Sequence, residues 1–311
     1  MIWVAWRQHR AGVLTALAVL ATAATVMLVM RLSIDAAFAK AKAPDCLTNP
    51  GSCTEDAFNA VMNSYGMYVT MAPTVLYLFP VLLGIVAGAP VFARELSLGT
   101  HMFSLTQSVS RKRWWAVKLG VTLLPIAVGT CLLGLLSAWA IGPLVNMLGG
   151  RIQPGFFEVQ GLVMAGYMVF AFAVASTFGL LTRNNVVPMV VTAGVFIAVA
   201  VTVAVFARPS YLPAEQATVT NPKGQDEFAV QTPEHSWRVG EIFVDKDDNT
   251  YTSYAEVCNP ESCVEDDVVS YTVEYHPDSR FWTFQGIETG AYLVLGAAAL
   301  AVGARRLRAL P

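Results

Sequence analysis

The sequence predicts an all-α polytopic membrane protein. It has six transmembrane helices, both termini cytoplasmic, and a small extracytoplasmic subdomain that contains β-structure. Three observations predict this. The chain is 55% apolar and only 14% charged, against about 25% charged in an average soluble domain. Its apolar runs reach the roughly 20 residues that a spanning helix needs. Its Lys and Arg gather in alternate connections between those runs.

The first ten residues, MIWVAWRQHR, set Trp3 and Trp6 beside Arg7 and Arg10. Indole rings favour the headgroup level and cations the inner leaflet. Residues 1–10 therefore suit a short interfacial elbow helix, or a plain anchor for the first span. Residues 11–30 follow without a charge. Ala21-Thr22-Ala23 has the form of a signal cleavage site, but the run continues to Met30, past the usual length of a signal core. Residues 65–93 form the second run, with Pro73, Pro80 and Pro90 in it; 119–145 form the third, with Pro125. The fourth and fifth are 161–181 and 186–207. The sixth is 281–304, interrupted by Glu288.

Orientation follows from the cations. Arg7 and Arg10 precede the first span, and Arg94, Arg111, Lys112, Arg113 and Lys118 lie in or beside the 94–118 connection. Arg183 joins spans four and five, and Arg305, Arg306 and Arg308 end the chain. Six spans put all four groups on one side, which is then cytoplasmic. Arg31, Lys40 and Lys42 dissent modestly. Glu95 is the one acid in the inner connections.

Outside, residues 31–64 hold DCLTNPGSCTED and residues 208–280 hold VCNPESCVED. In an oxidising milieu the pairs Cys46/Cys53 and Cys258/Cys263 suit local disulfides; cross-pairing between the two segments is the alternative. No His lies near either pair, so no metal site is expected. The 208–280 segment is acidic, with β-rich stretches at 237–244, 250–257 and 268–275. Asp247-Asp248-Asn249 reads as a hairpin turn. DKDDNT looks like a calcium loop but lacks the late Glu of one, so a solvated turn is the better reading.

Glu288 lies within the sixth span, and an unpaired carboxylate at mid-bilayer costs about 2.5–3.5 kcal/mol. It must face protein, face a wet cavity or carry a proton. Gln285, nearly a turn earlier, is placed to share its network. Small residues of the spans (Gly84, Gly88, Gly129, Gly134, Gly166, Gly194) favour close helix packing, and Gly84 with Gly88 has G-x-x-x-G spacing.

Catalytic signatures are missing from the sequence. There is no phosphate-binding loop, no H-E-x-x-H and no G-x-S-x-G. There is no basic excess that would suit nucleic acid. Ion-coupled carriers bury several ionisable groups near the midplane, and only Glu288 qualifies here. Energy for transport is then expected from a partner.

Three stretches carry a family resemblance. MIWVAWRQHR resembles the elbow, ARELSLGTHMFSLTQSVSRKRWWAVKL resembles the first cytoplasmic loop, and YHPDSRFWTFQGIETG resembles the lead into the last span, of ABC transporter permeases of the exporter type, in their actinobacterial branch. The resemblance implies a pair of membrane subunits, identical or related, each resting on a separate ABC ATPase subunit that binds the ATP. The chain itself would need no cofactor. It implies a coupling helix in the loop, with Arg94, Glu95, Gly99, Thr100 and Phe103 at the ATPase contact. It further implies a multi-pass protein of a bacterial plasma membrane, surrounded by lipid, that moves an amphiphilic, drug-like or lipid-like substrate outward. The alternatives are a non-transporting scaffold or sensor whose outer domain binds a ligand and, further off, a polytopic membrane enzyme. The large acidic outer segment departs from the family pattern.

Overall fold

The computed structural model describes residues 2–41, 53–97, 110–182, 184–220, 230, 232–253, 256 and 268–306. Among them are six helices long and apolar enough to cross a membrane. Helix α1 is Ile2–Lys40, α2 is Glu55–Gly88 and α3 is the short Pro90–Ser97. Helix α4 is Arg111–Met147, α5 Val163–Thr182, α6 Val186–Thr202 and α7 Phe281–Arg306. Strands β1 (Glu215–Thr220), β2 (Trp237–Asp245), β3 (Thr250–Tyr251) and β4 (Val268–His276) form one antiparallel sheet, in the order β1-β4-β2-β3.

Helix α5 is the centre of the bundle and is buried nearly all round. Helix α2 crosses it closely, because Gly84 and Gly88 present no side chain to it. A Cβ on Gly84 would stand 2.5 Å from the Met168 carbonyl oxygen, and one on Gly88 2.6 Å from that of Phe172. In lipid, such packing replaces the hydrophobic drive that water supplies to soluble helices. Helix α7 packs on the other side, with Gly166 against Thr289 and Gly296 against Phe170 and Ala173. Helices α1 and α4 run side by side in the same direction; Leu20 meets Gly129 midway along both, and Phe38 clusters with Leu144 near their C-terminal ends. Helix α6 is peripheral. Only Pro188, Thr192, Phe196 and Ala200 are buried, one residue per turn, as a helix touching its neighbours along one stripe must show.

Several elements differ from the sequence expectation. The elbow and the first span are one continuous helix. That helix also runs on through Arg31 to Lys40, so residues expected in the first outer loop are helical. At 1.5 Å per residue it is about 58 Å long, far more than the ~30 Å hydrocarbon core. Its far end is held by Arg31 pairing with Asp35 and by Ile34 and Phe38 packing on Ala57 and Val61 of α2. Helix α2 passes through Pro73 and Pro80 without ending and stops at Ala89, before Pro90. Gly194 makes no close packing; a Cβ there meets nothing within 4 Å.

The sheet matches two of the three expected stretches closely; of the third only Thr250–Tyr251 is strand, while Thr252 and Ser253 bend and Glu256 is helical. Strand β1 was not expected from the sequence; it pairs with β4, and its exposed side carries Glu215, Gln216, Thr218 and Thr220. The β2–β3 turn is held by Asp245, whose carboxylate accepts from the Asp247 and Asn249 backbones, the Asn249 side chain and the Tyr251 hydroxyl. Those bonds, the Asn249 amide first, hold the Asp245 carboxyl below its ordinary range. DKDDNT is thus a self-satisfied turn. Cys46, Cys258 and Cys263 lie outside the described residues; Cys53 is engaged, and Cys131 is a free thiol.

Gly84→Val should cost about 1–3 kcal/mol or more through overpacking, seen as a lower unfolding midpoint in detergent. Gly194→Ala should leave the midpoint unchanged or raise it. Equal midpoints for the two variants would refute the close α2–α5 crossing.

Candidate functional site: a buried charge cluster at the sheet end of the bundle

Three ionisable side chains from distant parts of the chain meet beside α5. Helix α6 widens into a π turn at Val203–Ala207 and tightens into a 3-10 turn at Arg208–Ser210. Such turns re-aim a side chain, and here Arg208 points into the protein with only 2% of its side chain exposed. Glu288 reaches it from α7 and is fully buried. Glu158 reaches it from a 3-10 turn, Phe157–Val159, in the connection between α4 and α5.

Arg208 grips Glu288 with two parallel bonds: Nε donates to Oε2 at 2.9 Å and Nη2 to Oε1 at 2.8 Å. Its Nη1 donates to Glu158 Oε1. Glu288 accepts two further bonds, from the Tyr167 hydroxyl at 2.6 Å and the Tyr211 hydroxyl at 3.2 Å. Glu158 Oε2 accepts from the Gly155 amide at 2.7 Å, closing its own turn. The face of the guanidinium lies 4.6 Å from the Phe157 ring. The planar fork of Arg suits this two-carboxylate task, which a Lys could not perform. Burying charge is tolerable only when partners satisfy the remaining lone pairs, and both carboxylates meet that condition.

Gln285 works one layer away. Its Oε1 accepts from the Val163 amide at 2.9 Å, and its Nε2 donates to the Phe157 carbonyl at 3.0 Å. It therefore caps α5 and holds the turn carrying Glu158. Gly161, at φ 69°, approaches so closely that a Cβ would sit 2.7 Å from Gln285 Oε1. Gln285 and Glu288 thus serve neighbouring networks joined through the Phe157–Val159 turn.

The sheet is wired to this layer. His276, fully buried, donates from Nε2 to the Pro209 carbonyl at 3.0 Å and accepts at Nδ1 from Arg280. Arg280 also donates to the Pro213 carbonyl and to Glu215 of β1. Arg151 forks onto Asp278 at 2.8–3.0 Å.

At the opposite end, Arg94 is exposed on α3, while Glu95 is mostly buried and forms an ion pair with Lys118 of α4. Gly99, Thr100 and Phe103 lie outside the described residues. The structure brings Glu288 and Gln285 into one region and leaves Arg94 and Glu95 at the far end.

Arg208, Glu158, Tyr167 and Tyr211 were missed from the sequence. Arg208 looked like the first residue of the outer segment, although a cation bounding a span is also a natural partner for Glu288. Glu288 is not the lone buried charge the sequence suggests: it meets Arg208 and Glu158 in one buried cluster, and Lys118 of α4 is buried as well, because connections folded back onto the helix ends bury their charges too. Among the described residues no group of His, Cys, Asp and Glu could hold a metal ion.

The family described as ABC-2 membrane transporter related matches residues 17–208, from α1 to Arg208 itself. The chain belongs to that family. No curated protein and no solved structure matches the chain. This ABC-2 protein is accordingly a multi-pass membrane component of transporter permease type. The family match ends where α6 meets the cluster, so the sheet and α7 lie beyond it.

Arg208→Met should destabilise this ABC-2 protein by about 3–5 kcal/mol, since it leaves buried carboxylates uncompensated, and Arg208→Met with Glu288→Leu should recover much of the loss. Tyr211→Phe should cost about 1 kcal/mol. Thermal unfolding in nanodiscs checks the order; a Met variant no worse than the Phe variant would remove the cluster's structural role.

Proposed function

We propose that the chain is the membrane-spanning subunit of an ATP-driven ABC exporter, in the plasma membrane of a bacterium of the actinobacterial branch. The family match across the first five membrane helices carries this reading. The connection between α2 and α4 lies inside that match, and the chain has no phosphate-binding loop of its own. Energy therefore enters from a separate ATPase, with ends and loop 98–109 cytoplasmic and the sheet outside. A second permease subunit, identical or related, completes the path. The substrate is amphiphilic, drug-like or lipid-like and moves outward by alternating access.

In this reading α3 and loop 98–109 form the coupling element, and Arg94, Glu95, Gly99, Thr100 and Phe103 mark it. The argument from a scarcity of buried ionisable groups no longer supports the partner, because three groups are buried together. They are mutually paired rather than facing a cavity, however, and a paired cluster is a poor relay for a coupling ion.

A tagged chain purified from its host in mild detergent should bring an ATP-hydrolysing subunit with it. Thr100→Ala should lower transport without releasing that subunit. Purification with no ATPase, together with unaltered activity in the Thr100 and Glu95 variants, would sink the exporter reading. We also propose local disulfides, Cys46–Cys53 and Cys258–Cys263. Alkylation with and without reductant should show a mass difference of four protected thiols, and four freely alkylated thiols would refute the bridges.

A further inference from the structure

We propose that Lys118 is a positioning residue for Glu95, and that their ion pair passes displacement of loop 98–109 to α4 and so to the Arg208 cluster. The proposal rests on the exporter reading above and adds the route by which force leaves the loop.

Helix α3 is a wedge. The break before it, at Ala89, presses on α5, where a Cβ on Gly179 would stand 2.5 Å from the Ala89 carbonyl oxygen. Its Val91, Phe92, Ala93 and Leu96 are buried, while Arg94 and Ser97 are exposed. Two ties join α3 to α4. Phe92 packs on Trp114, with ring centroids 5.3 Å apart. Glu95 pairs with Lys118, whose Nζ also lies 4.9 Å from the Trp114 ring centre. On α3 the ionic tie lies nearer the helix's C-terminal end.

Lys is rarely buried unless it is paired, and Lys118 is 3% exposed. A buried pair escapes most of the screening that weakens surface pairs. If α3 shifts, α4 must follow or the pair must open. Yet the site is incompletely satisfied. Glu95 Oε2, Trp114 Nε1, His9 Nε2 and Lys118 Nζ are buried without a hydrogen-bond partner, the last meeting Glu95 as an ion pair. Unpaired buried polar atoms in one small region call for an explanation. A second position of α3, in which these atoms find partners, supplies one, and the site is then a two-state element of the kind that coupling requires. The Arg208 cluster is the contrast, because there both carboxylates are answered on both oxygens.

Helix α4 supplies the rod. From Lys118 to Gly134 it rises about 24 Å. At Gly134 its carbonyl oxygen accepts from the Gly161 amide at 2.9 Å, and Gly161 lies against Gln285. Gln285 in turn holds the Phe157 carbonyl, next to Glu158. Movement of α4 thus reaches the turn that carries Glu158.

The test uses the full chain with its copurified ATPase in nanodiscs. Hydrogen–deuterium exchange is compared between ADP and ATP with vanadate. In the unsubstituted complex both segment 98–110 and segment 148–162 should respond. In Lys118→Met the inner segment should still respond, while the outer response falls about fivefold. Lys118→Arg should keep it, and Glu95→Lys with Lys118→Glu should restore it. ATP hydrolysis should change little in Lys118→Met, while its unfolding midpoint falls because Glu95 is left mostly buried without a partner; Lys118→Met with Glu95→Leu should recover the midpoint but not the outer response, which a merely structural role would not allow. Should that variant fail to assemble, Lys118→Gln is read by the same criterion. An outer segment that responds equally in the variant, or never responds in the unsubstituted complex, overturns the proposal. A chain that purifies with no ATPase fails differently, at the exporter reading itself.

Discussion

Arg208 is buried, so its charge must be answered by the protein. The answer comes from residues 50 and 80 positions away along the chain. Glu158 brings the connection between α4 and α5, and Glu288 brings α7. Tyr167 adds the central helix. A guanidinium offers five donors in one plane, and here that plane fixes where the end of α6, the start of α5 and the last span stand relative to one another. The sheet inherits the same frame through Pro209 and His276. Removing the charge from any one member leaves the others buried without compensation, which is why the arrangement behaves as a unit.

The rest of the bundle is held by shape. Lipid offers apolar side chains as much as a neighbouring helix does, so burial alone cannot choose which face of a span turns inward. Gly84 and Gly88 choose for α2, because only there can its backbone approach Met168 and Phe172. Large apolar side chains such as Met67, Val75, Leu82 and Val86 then face outward from the same helix. Helix α6, with one narrow buried stripe, depends most on the Arg208 cluster at its end.

The two charged sites differ in finish. Glu288 accepts four hydrogen bonds and has no oxygen left unanswered. Glu95 has one oxygen paired and one idle. A satisfied cluster holds a frame, whereas an unsatisfied pair has another arrangement to gain from. That difference lies between ends of the molecule joined by one long helix, α4.

Apolar run length was enough to determine six helices long enough to span a membrane, since a bilayer admits few other solutions for uncharged runs of that length. Period-two stretches were enough to find β2 and β4, and Asp247-Asp248-Asn249 to find the turn after β2. The charge on Glu288 announced that it needed a partner. What the sequence left open was the partner's identity. Arg208 and Glu158 are ordinary boundary and loop residues until the chain folds, because a contact across 80 residues leaves no periodic trace. Strand β1 was hidden for a related reason: its inward face is only Ala217 and Val219, half-buried, too short to stand out among Glu, Gln and Thr. The length of α1 beyond Arg31 was hidden because only the Asp35 pair and the packing of Phe38 make a charged stretch helical there. Local chemistry determined which segments enter the membrane; only tertiary structure decided which charges meet, since that depends on where distant backbone turns aim their side chains.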